Sequence, residues 1–413
     1  MSDKTHQKYP VSVQHGKPRL APLKEGWNRL SISDLVEEVI RPVVMEDDEL
    51  YTLVTAKRSR GGIVEREKLK GRDIAVKSQF YIREDDFLIS KRQIVHGACG
   101  FVPKQLDGAI VSNEYLVLNF TDKIIPEFWN FLSHTVYFQQ ICFHSSIGVH
   151  IEKMLFKVEQ WYRWKINIPS LEEQEKIASF LGSVDRRLTQ LRRKQELLQT
   201  YKRGVIQKLF SQQIRFTQPD GSPFSTWQEK RLGQLATRQT KKNDDQSISR
   251  VLTNSAIQGV IDQQDYFDKD IANSENLANY YVIEKGDYVY NPRISMNAPV
   301  GPINKNKIGL GVMSPLYTVF RFKSQENTFY EQYFKTSMWH KYMCSVANYG
   351  ARHDRMNITT SDFMNLPLPY PHPEEQQKIS NFITVIDQKI EAISRQIYHT
   401  EKLKKGLLQK MFV

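Results

Sequence analysis

The chain has 413 residues, 40% hydrophobic and 11% aromatic, enough to bury cores in two or three domains of about 150 residues each. Its formal net charge of +12 favours a polyanionic partner, either nucleic acid or an anionic membrane surface. There is no run of about 18 apolar residues, which argues against a membrane-spanning helix. The three cysteines form no CxxC pair, which argues against a zinc site or disulfide framework and favours a cytoplasmic protein.

The first part of the chain predicts a tail followed by an α+β domain. Residues 1–20 are polar and are expected to form a flexible N-terminal extension rather than a signal peptide. Residues 21–168 are expected to form the first domain, with short strands and one aromatic helical stretch. The predicted strands are Tyr51–Thr55, Asp86–Ser90 and Tyr115–Phe120, and the helical stretch is Phe128–Phe143.

Residues 169–213 predict a long amphipathic helix. Apolar residues recur in alternating steps of four and three, which is the spacing of a coiled-coil seam. The seam residues are Ile177, Leu181, Val184, Leu188, Leu191, Leu198, Val205 and Leu209, with Gln195 and Lys202 as interruptions. Acidic residues in the first turn and basic residues near the end complement the helix dipole.

The second part of the chain predicts the same order of elements. Residues 214–370 are expected to form a second α+β domain, and residues 371–413 a second long helix. The predicted strands are Asp287–Tyr290 and Tyr317–Phe322, and the aromatic helical stretch is Tyr330–Met343. The seam of the second helix is Ile379, Ile383, Ile386, Ile390, Ile393, Ile397, Leu407 and Met411, with Thr400 and Lys404 as its weak points.

The two long helices are copies of one segment. Glu172–Ile177 recurs as Glu374–Ile379, an offset of 374 − 172 = 202 that holds without a gap to Phe210 and Phe412. Fainter matches continue upstream, where Trp27 corresponds to Trp227 and Arg92 to Arg293. The sequence therefore predicts a tandem repeat whose helices stayed alike while the domains before them diverged.

Each helix has an apolar stripe that must be buried. At roughly 38 residues it would be about 57 Å long. We expect the two helices to pair antiparallel as a coiled coil, because the second domain must lie at the far end of the first helix. Such a rod would hold two reading domains a fixed distance apart, and DNA half-sites are often about one helical turn apart. The alternative is that each helix packs only on its own domain.

Basic residues gather in predicted loops, where arginine and lysine can reach phosphates and guanine, and asparagine and glutamine can pair with adenine. In the first domain the candidate DNA-contacting residues are Lys57, Arg58, Arg60, Lys91, Arg92, His150 and Lys153. In the second domain they are Lys241, Lys242, Arg293, Asn297, Arg352, His353 and Arg355, with Gln258 as a further candidate for adenine. The alternative for any single residue is an ordinary solvated surface charge.

Catalytic motifs are missing from the sequence. It has no GxxxxGK[ST] phosphate loop and no HExxH metal motif, and Asn291-Pro292-Arg293-Ile294 lacks the second proline and the aromatic ring of an amino-methyltransferase motif. The pattern favours DNA recognition without catalysis. The alternatives are a single-chain methyltransferase or nuclease with embedded specificity domains, and a coiled-coil adaptor that does not read DNA.

One set of motifs occurs twice, at both long helices and at the start of both domains. A proline, Glu-Glu-Gln, Lys-Ile and a closing Gln-Lys-x-Phe occur within Pro169–Phe210 and again within Pro371–Phe412. A tryptophan and a leucine are spaced alike at Trp27–Leu35 and Trp227–Leu235. Over nearly the whole chain these motifs resemble the specificity subunits of type I restriction–modification enzymes. The first half departs most, at Tyr162–Trp164 and after Gly148.

The resemblance implies two similar target-recognition domains, separated by two long antiparallel helices that form a coiled coil with a pseudo-two-fold internal repeat. It implies that each domain binds one half of a bipartite, double-stranded DNA target. The implied partners are two modification subunits, which bind S-adenosylmethionine and methylate adenine, and restriction subunits, which use ATP and Mg²⁺ to translocate and cleave DNA. The chain itself is expected to hold no cofactor or metal and to be non-catalytic.

Overall fold

The computed structural model describes residues 10–266, 274–325, 327–348 and 354–412. The chain divides into two compact units. Unit 1 comprises Met1–Arg193 and Arg395–Val413, and unit 2 comprises Lys194–Ser394. Each unit therefore contains one α+β domain, the beginning of the long helix that follows this domain, and the end of the other long helix.

Unit 1 contains twelve described strands and three short α-helices before the first long helix. The strands are β1 (Asn28–Ser31), β2 (Val36–Glu38), β3 (Leu50–Ala56), β4 (Ile63–Lys70), β5 (Gln79–Tyr81), β6 (Phe87–Ser90), β7 (Cys99–Phe101), β8 (Ile110–Ser112), β9 (Tyr115–Phe120), β10 (Ser146–Ile147), β11 (Leu155–Phe156) and β12 (Lys165–Ile168). The helices are α1 (Pro126–Ser133), α2 (Val136–His144), α3 (Val158–Tyr162) and α4 (Leu171–Phe210), of which α4 continues into unit 2.

The strands of unit 1 form two four-stranded sheets. The antiparallel sheet has the order β2-β9-β6-β7, and its buried face packs on the aromatic residues of α1 and α2. The mixed sheet has the order β4-β3-β8-β5, with β3 and β8 parallel. β1 pairs antiparallel with β12, which brings the start of the domain beside the residues that lead into α4. All four residues of β6 are buried, as expected for a strand that is covered on both faces.

Unit 2 begins within α4 and continues through ten described strands. They are β13 (Gln228–Arg231), β14 (Ala236–Gln239), β15 (Val251–Ser255), β16 (Gly259–Asp262), β17 (Tyr281–Ile283), β18 (Tyr288–Tyr290), β19 (Ile303–Lys305), β20 (Gly311–Met313), β21 (Thr318–Phe322) and β22 (Pro367–Tyr370). The helices are α5 (Leu232–Leu235), α6 (Gln263–Tyr266), α7 (Thr328–Tyr333), α8 (His340–Val346), α9 (Thr360–Met364) and α10 (Pro373–Phe412).

The two domains have the same sheet topology. The sheets of unit 2 have the orders β14-β21-β18-β19 and β16-β15-β20-β17, and β13 pairs with β22. β15 and β20 are parallel, as are β3 and β8 at the same place in unit 1. The fold class is therefore confirmed: two similar α+β domains arise from one repeated plan, although their loop sequences differ.

The long helices α4 and α10 pack antiparallel, as predicted. In unit 1 Asp185 contacts Lys404, and in unit 2 Lys202 contacts Asp387. Each lysine interrupted the predicted seam, and the structure pairs it with a carboxylate of the other helix. The seam residues are buried or half-buried in both helices. Within the described residues, no helix is apolar enough over the necessary length to cross a membrane.

The ends of the long helices also pack into the domain cores. The alternative, that each helix packs on its own domain, therefore holds for part of each helix. In unit 1 Ile177 and Leu181 join the main core, and Phe412 contacts Phe128 with ring centroids 5.1 Å apart. In unit 2 Phe210 contacts Phe329, also at 5.1 Å. Each domain therefore contacts the start of one long helix and the end of the other.

Three expectations need correction. The predicted stretch Phe128–Phe143 is two helices, because Thr135 adopts an extended backbone and caps α2 by accepting a hydrogen bond from the Phe138 amide. The second aromatic stretch is likewise divided into α7 and α8. The described part of the N-terminal extension lies against the first domain rather than loose, since Val13 is buried and the Gly16 carbonyl bonds to His144.

Candidate nucleic-acid interface

The first candidate surface in unit 1 is the tip of the β3–β4 hairpin. This tip carries Lys57, Arg58 and Arg60 in the order of the chain. Ser59 and Arg60 have positive φ angles of 55° and 57°, and the Lys57 amide donates to the Gly62 carbonyl at 2.9 Å. Because the turn is tight and left-handed, the side chains of Arg58 and Arg60 point in different directions.

The β6–β7 connection lies directly beside this tip. The Ser59 amide donates to the His96 carbonyl at 2.7 Å, and the Arg60 amide donates to the Gly97 carbonyl at 2.9 Å. Arg58 Nε donates to the side-chain oxygen of Gln93 at 2.9 Å. Two hairpin tips that are more than 30 residues apart in the chain thus form one surface.

A third loop joins the same surface through Glu152. Arg58 forms an ion pair with this carboxylate, and the Nε2 atom of His96 lies 3.2 Å from it. Burial and the charge of Arg58 lower the pKa of His96. His150 and Lys153 are exposed on either side of Glu152. The structure therefore brings together the three loops that the sequence marked in the first domain.

Lys91 and Arg92 begin the β6–β7 connection and are engaged with neighbouring acceptors. Arg92 makes two hydrogen bonds to Glu114, at 2.7 and 3.1 Å, and Lys91 donates to the Asn113 carbonyl at 3.0 Å. The hydrogen bonds to Glu114 raise the pKa of Arg92. An ion pair as exposed as this one contributes little to stability.

Arg60 lies away from the other basic residues of its hairpin. Its side chain is half-buried, and its Nε atom donates to the Ser133 carbonyl at 3.3 Å. It lines a cleft of about 870 Å³ beside α4 and α10, together with His134. Burial lowers the pKa of Arg60, and burial is also the main cause that lowers the pKa of His134 to about 4.

In unit 2 the β18–β19 connection meets the loop that precedes α9. Arg293 lies in the β18–β19 connection and forms a β-bridge with Arg355. Asp354 lies between their guanidinium groups, 3.7 Å from that of Arg293 and 3.8 Å from that of Arg355. Asn297 is exposed in the turn that follows. Arg293, Asn297 and Arg355 therefore belong to one surface.

Other candidates of the second domain lie apart from this surface or outside the described residues. Lys241 and Lys242 lie beside β17, where the Val282 amide donates to the Lys241 carbonyl at 2.8 Å. Lys242 Nζ donates to the side chain of Asn279 at 3.1 Å. Arg352 and His353 lie outside the described residues.

Sequence reasoning missed Gln93 and Glu152, which link the loops of unit 1. Both residues lie within or beside the predicted basic loops, but neither carries a positive charge, which is the sequence feature that marks those loops. Within the described ranges, no group of three His, Cys, Asp or Glu side chains is placed to hold a metal ion.

Known proteins share both the sequence pattern and the fold. A family model described as "Type I restriction modification DNA specificity domain" matches residues 25–199 and again 225–400. The "Type I restriction enzyme MjaVIII specificity subunit" of Methanocaldococcus jannaschii is 25% identical, over 93% of this chain and 91% of the relative.

Two solved structures have a similar fold. The first comes from a study titled as the structural basis of complex assembly and conformational transition of the type I R-M system. It has a TM-score of 0.59 and 18% identity, and the match covers 95% of this chain and 99% of the solved one. The other is the HsdS subunit from Thermoanaerobacter tengcongensis, with a TM-score of 0.51, 19% identity, and coverage of 95% and 98%.

Proposed function

The chain belongs to the type I restriction–modification DNA specificity family, and from this premise we propose how its two domains divide the recognition of DNA. The chain is the DNA-recognition subunit of such a system. Each domain reads one half of a bipartite double-stranded target, and the paired hairpin tips described above are its reading surface.

One observation carries this proposal. The same two connections, β3–β4 with β6–β7 in unit 1 and β15–β16 with β18–β19 in unit 2, meet at equivalent edges of equivalent sheets. The framework is repeated, but the residues on the tips are not. A repeated framework with different tips suits two surfaces that dock on DNA in the same manner and recognise different bases.

The basic residues of these surfaces supply the contact with the DNA backbone. Arg58, Arg92 and Arg293 are exposed and make ion pairs only with exposed or half-exposed carboxylates in the described structure. DNA phosphates can replace these carboxylates as the partners of the arginines. Each phosphate that is neutralised releases counterions, so binding should weaken steeply as the salt concentration rises.

The reactions of the system belong to partner subunits in this proposal. Two modification subunits bind this chain and carry S-adenosylmethionine, and restriction subunits carry ATP and Mg²⁺. The chain contributes the choice of sequence and the docking surfaces, in the cytoplasm and without catalysis of its own. The purified chain with S-adenosylmethionine should transfer no methyl group to DNA, whereas the chain together with its modification subunits should do so.

An exchange of domains tests the division of labour. Residues 214–370 are replaced by the corresponding segment of a relative, and the methylated target is read by methylome sequencing of cells that also make the modification subunits. The expected result is a new sequence in one half of the target and an unchanged sequence in the other. A change in both halves would contradict independent reading by the two domains.

A further inference from the structure

The two hairpin tips of unit 2 carry the same pair of side-chain types in the same order. Each tip presents an exposed aliphatic residue that is followed at once by a carboxamide: Ile257-Gln258 after β15, and Met296-Asn297 after β18. Ile257 is 78% exposed and Met296 is 99% exposed. A single exposed aliphatic side chain is ordinary, but the same pair on two neighbouring tips calls for a partner surface.

The two tips border one small cavity. Its volume is about 170 Å³, and it is lined by Ser255 and Ala256 from the first tip and by Ser295 from the second. Arg293 and Arg355 also line it. Both tips and the two arginines therefore meet at this cavity, and Ile257 and Met296 each follow a lining residue directly in the chain.

Hydrogen bonds fix the backbone beneath both tips. Asn291 Nδ2 donates to the Asn254 carbonyl at 2.9 Å, and Asn304 Nδ2 donates to Asn254 Oδ1 at 2.8 Å. In the second turn, Ser295 and Ala298 exchange backbone hydrogen bonds of 3.0 and 3.1 Å. Because the backbone is held in this way, the exposed side chains are presented without a large entropic cost of ordering the loops.

The carboxamide groups of the two tips are available. Gln258 and Asn297 are exposed, and neither side chain makes a hydrogen bond to another described residue. A carboxamide has one acceptor and two donors, so it can form two hydrogen bonds at once with the N6 and N7 atoms of adenine in the major groove. The aliphatic neighbour matches the methyl group of thymine, the other base of the same pair.

The corresponding tips of unit 1 have different chemistry. The β3–β4 tip is basic, with Lys57 and Arg58, whereas the β15–β16 tip has Ile257 and Gln258. Between paired strand ends, the β6–β7 connection has nine residues (90–98) and the β18–β19 connection has twelve (291–302). The three additional residues accompany the exposed turn that carries Met296. The feature is therefore specific to the second domain.

We propose that the second domain recognises A·T base pairs through these two tips, an inference that rests on the proposed function and adds the base class to it. Gln258 and Asn297 pair with adenine edges, and Ile257 and Met296 contact thymine methyl groups. Arg293 and Arg355 bind the flanking phosphates. The half of the target that this domain reads should contain A·T pairs at the positions that face the tips.

Deoxyuridine provides a direct test, because it pairs like thymidine but lacks the methyl group. The assembled complex of this chain with its modification subunits is titrated with the target DNA, and each thymidine of the half-site is replaced in turn by deoxyuridine. Loss of one methyl contact should weaken binding about four-fold, the equivalent of roughly 0.8 kcal/mol.

Substitutions locate the contact on the protein. On thymidine DNA, Met296→Ala and Ile257→Ala should each weaken binding several-fold, and each should abolish the effect of deoxyuridine at one position. Asn297→Ala and Gln258→Ala should relax the preference for adenine at the paired positions. Arg58→Ala, in unit 1, is the matched control and should leave the response to deoxyuridine unchanged. Unchanged thermal unfolding of the Met296 and Ile257 variants excludes a folding defect.

The outcomes separate this inference from the proposed function. If a domain exchange changes one half of the target, but Met296→Ala and Ile257→Ala remain as sensitive to deoxyuridine as the unchanged chain, the inference on base class is wrong and the proposed function stands. If the assembled complex has no sequence preference at all, the proposed function is wrong as well.

Discussion

Two ion pairs join the long helices at equivalent positions of the repeat. In unit 2, Lys202 Nζ lies 2.5 Å from Asp387 Oδ1, and in unit 1, Lys404 Nζ lies 2.6 Å from Asp185 Oδ1. Residues 185 and 387, like residues 202 and 404, are separated by the repeat offset of 202. The same contact is thus made twice, with the roles of the two helices exchanged.

Removal of the aspartate should destabilise the protein more than removal of the lysine, because the lysine is more deeply buried than the aspartate. The side chain of Lys202 is 16% exposed and that of Asp387 is 40% exposed. Asp387→Ala leaves a nearly buried ammonium group without a counter-charge, close to the cationic Lys335. Lys202→Met places an apolar side chain in the seam and leaves a carboxylate that water can reach.

The magnitudes follow from this difference in burial. Removing one partner costs about 3–5 kcal/mol for a fully buried pair, and an exposed pair contributes about 0–1 kcal/mol. For this intermediate pair we expect Asp387→Ala to cost about 2 kcal/mol and Lys202→Met less than about 0.5 kcal/mol. The double variant should resemble Lys202→Met, because it leaves no buried charge.

Thermal unfolding measures the effect. Unit 2 spans residues 194–394, which is 394 − 194 + 1 = 201 residues. A change of 1 kcal/mol shifts the Tm of a domain of this size by about 2–4 °C, so Asp387→Ala should lower it by about 4–8 °C. Asp185→Ala and Lys404→Met should repeat the same order of effects in unit 1. An equal or larger loss for Lys202→Met would refute the reasoning from burial.

Three further predictions concern the cores and the DNA surface. Trp227→Phe removes a 2.9 Å hydrogen bond to the fully buried Glu375 and should lower the free energy of unfolding in urea by about 1–3 kcal/mol. Trp27→Phe should cost less, because its acceptor Glu173 is half-buried, and an equal cost would contradict this. Burial lowers the pKa of His134 from 6.5 to about 4, so the unfolded chain binds the proton first and stability is lost as pH falls from 6.5 to 4. His134→Gln should therefore flatten the dependence of Tm on pH between these values, and an unchanged curve would speak against it. Arg58→Ala should reduce the slope of log K against log salt by about 1 while Tm stays the same, whereas an unchanged slope would remove Arg58 from the phosphate contacts.

Much of the framework could be predicted because it depends on local patterns. The predicted strand Tyr115–Phe120 coincides with β9, and the 202-residue offset marks the two helices whose seams the structure buries. Alternation and heptad spacing are properties of neighbouring residues, so they are visible without the fold. The break at Thr135 was missed because a helix cap competes with an aromatic periodicity that continues through it.

The composition of the candidate site depended on contacts that are distant in the chain. Arg58 and Arg60 are equivalent in the sequence, yet Arg58 reaches Glu152, 94 residues away, and Arg60 turns toward Ser133. The direction of each side chain is set by the left-handed turn at Ser59 and by the neighbouring hairpin that holds it.

The sequence by itself determined the repeat, the α+β domains and the paired helices, since each follows from spacing along the chain. Only the tertiary structure decided which loops meet, that the lysines in the seam have carboxylate partners, and that the tips which carry Ile257 and Met296 border one cavity. The physical reason is that a loop takes its conformation from the surfaces it contacts, and these surfaces come from remote parts of the chain.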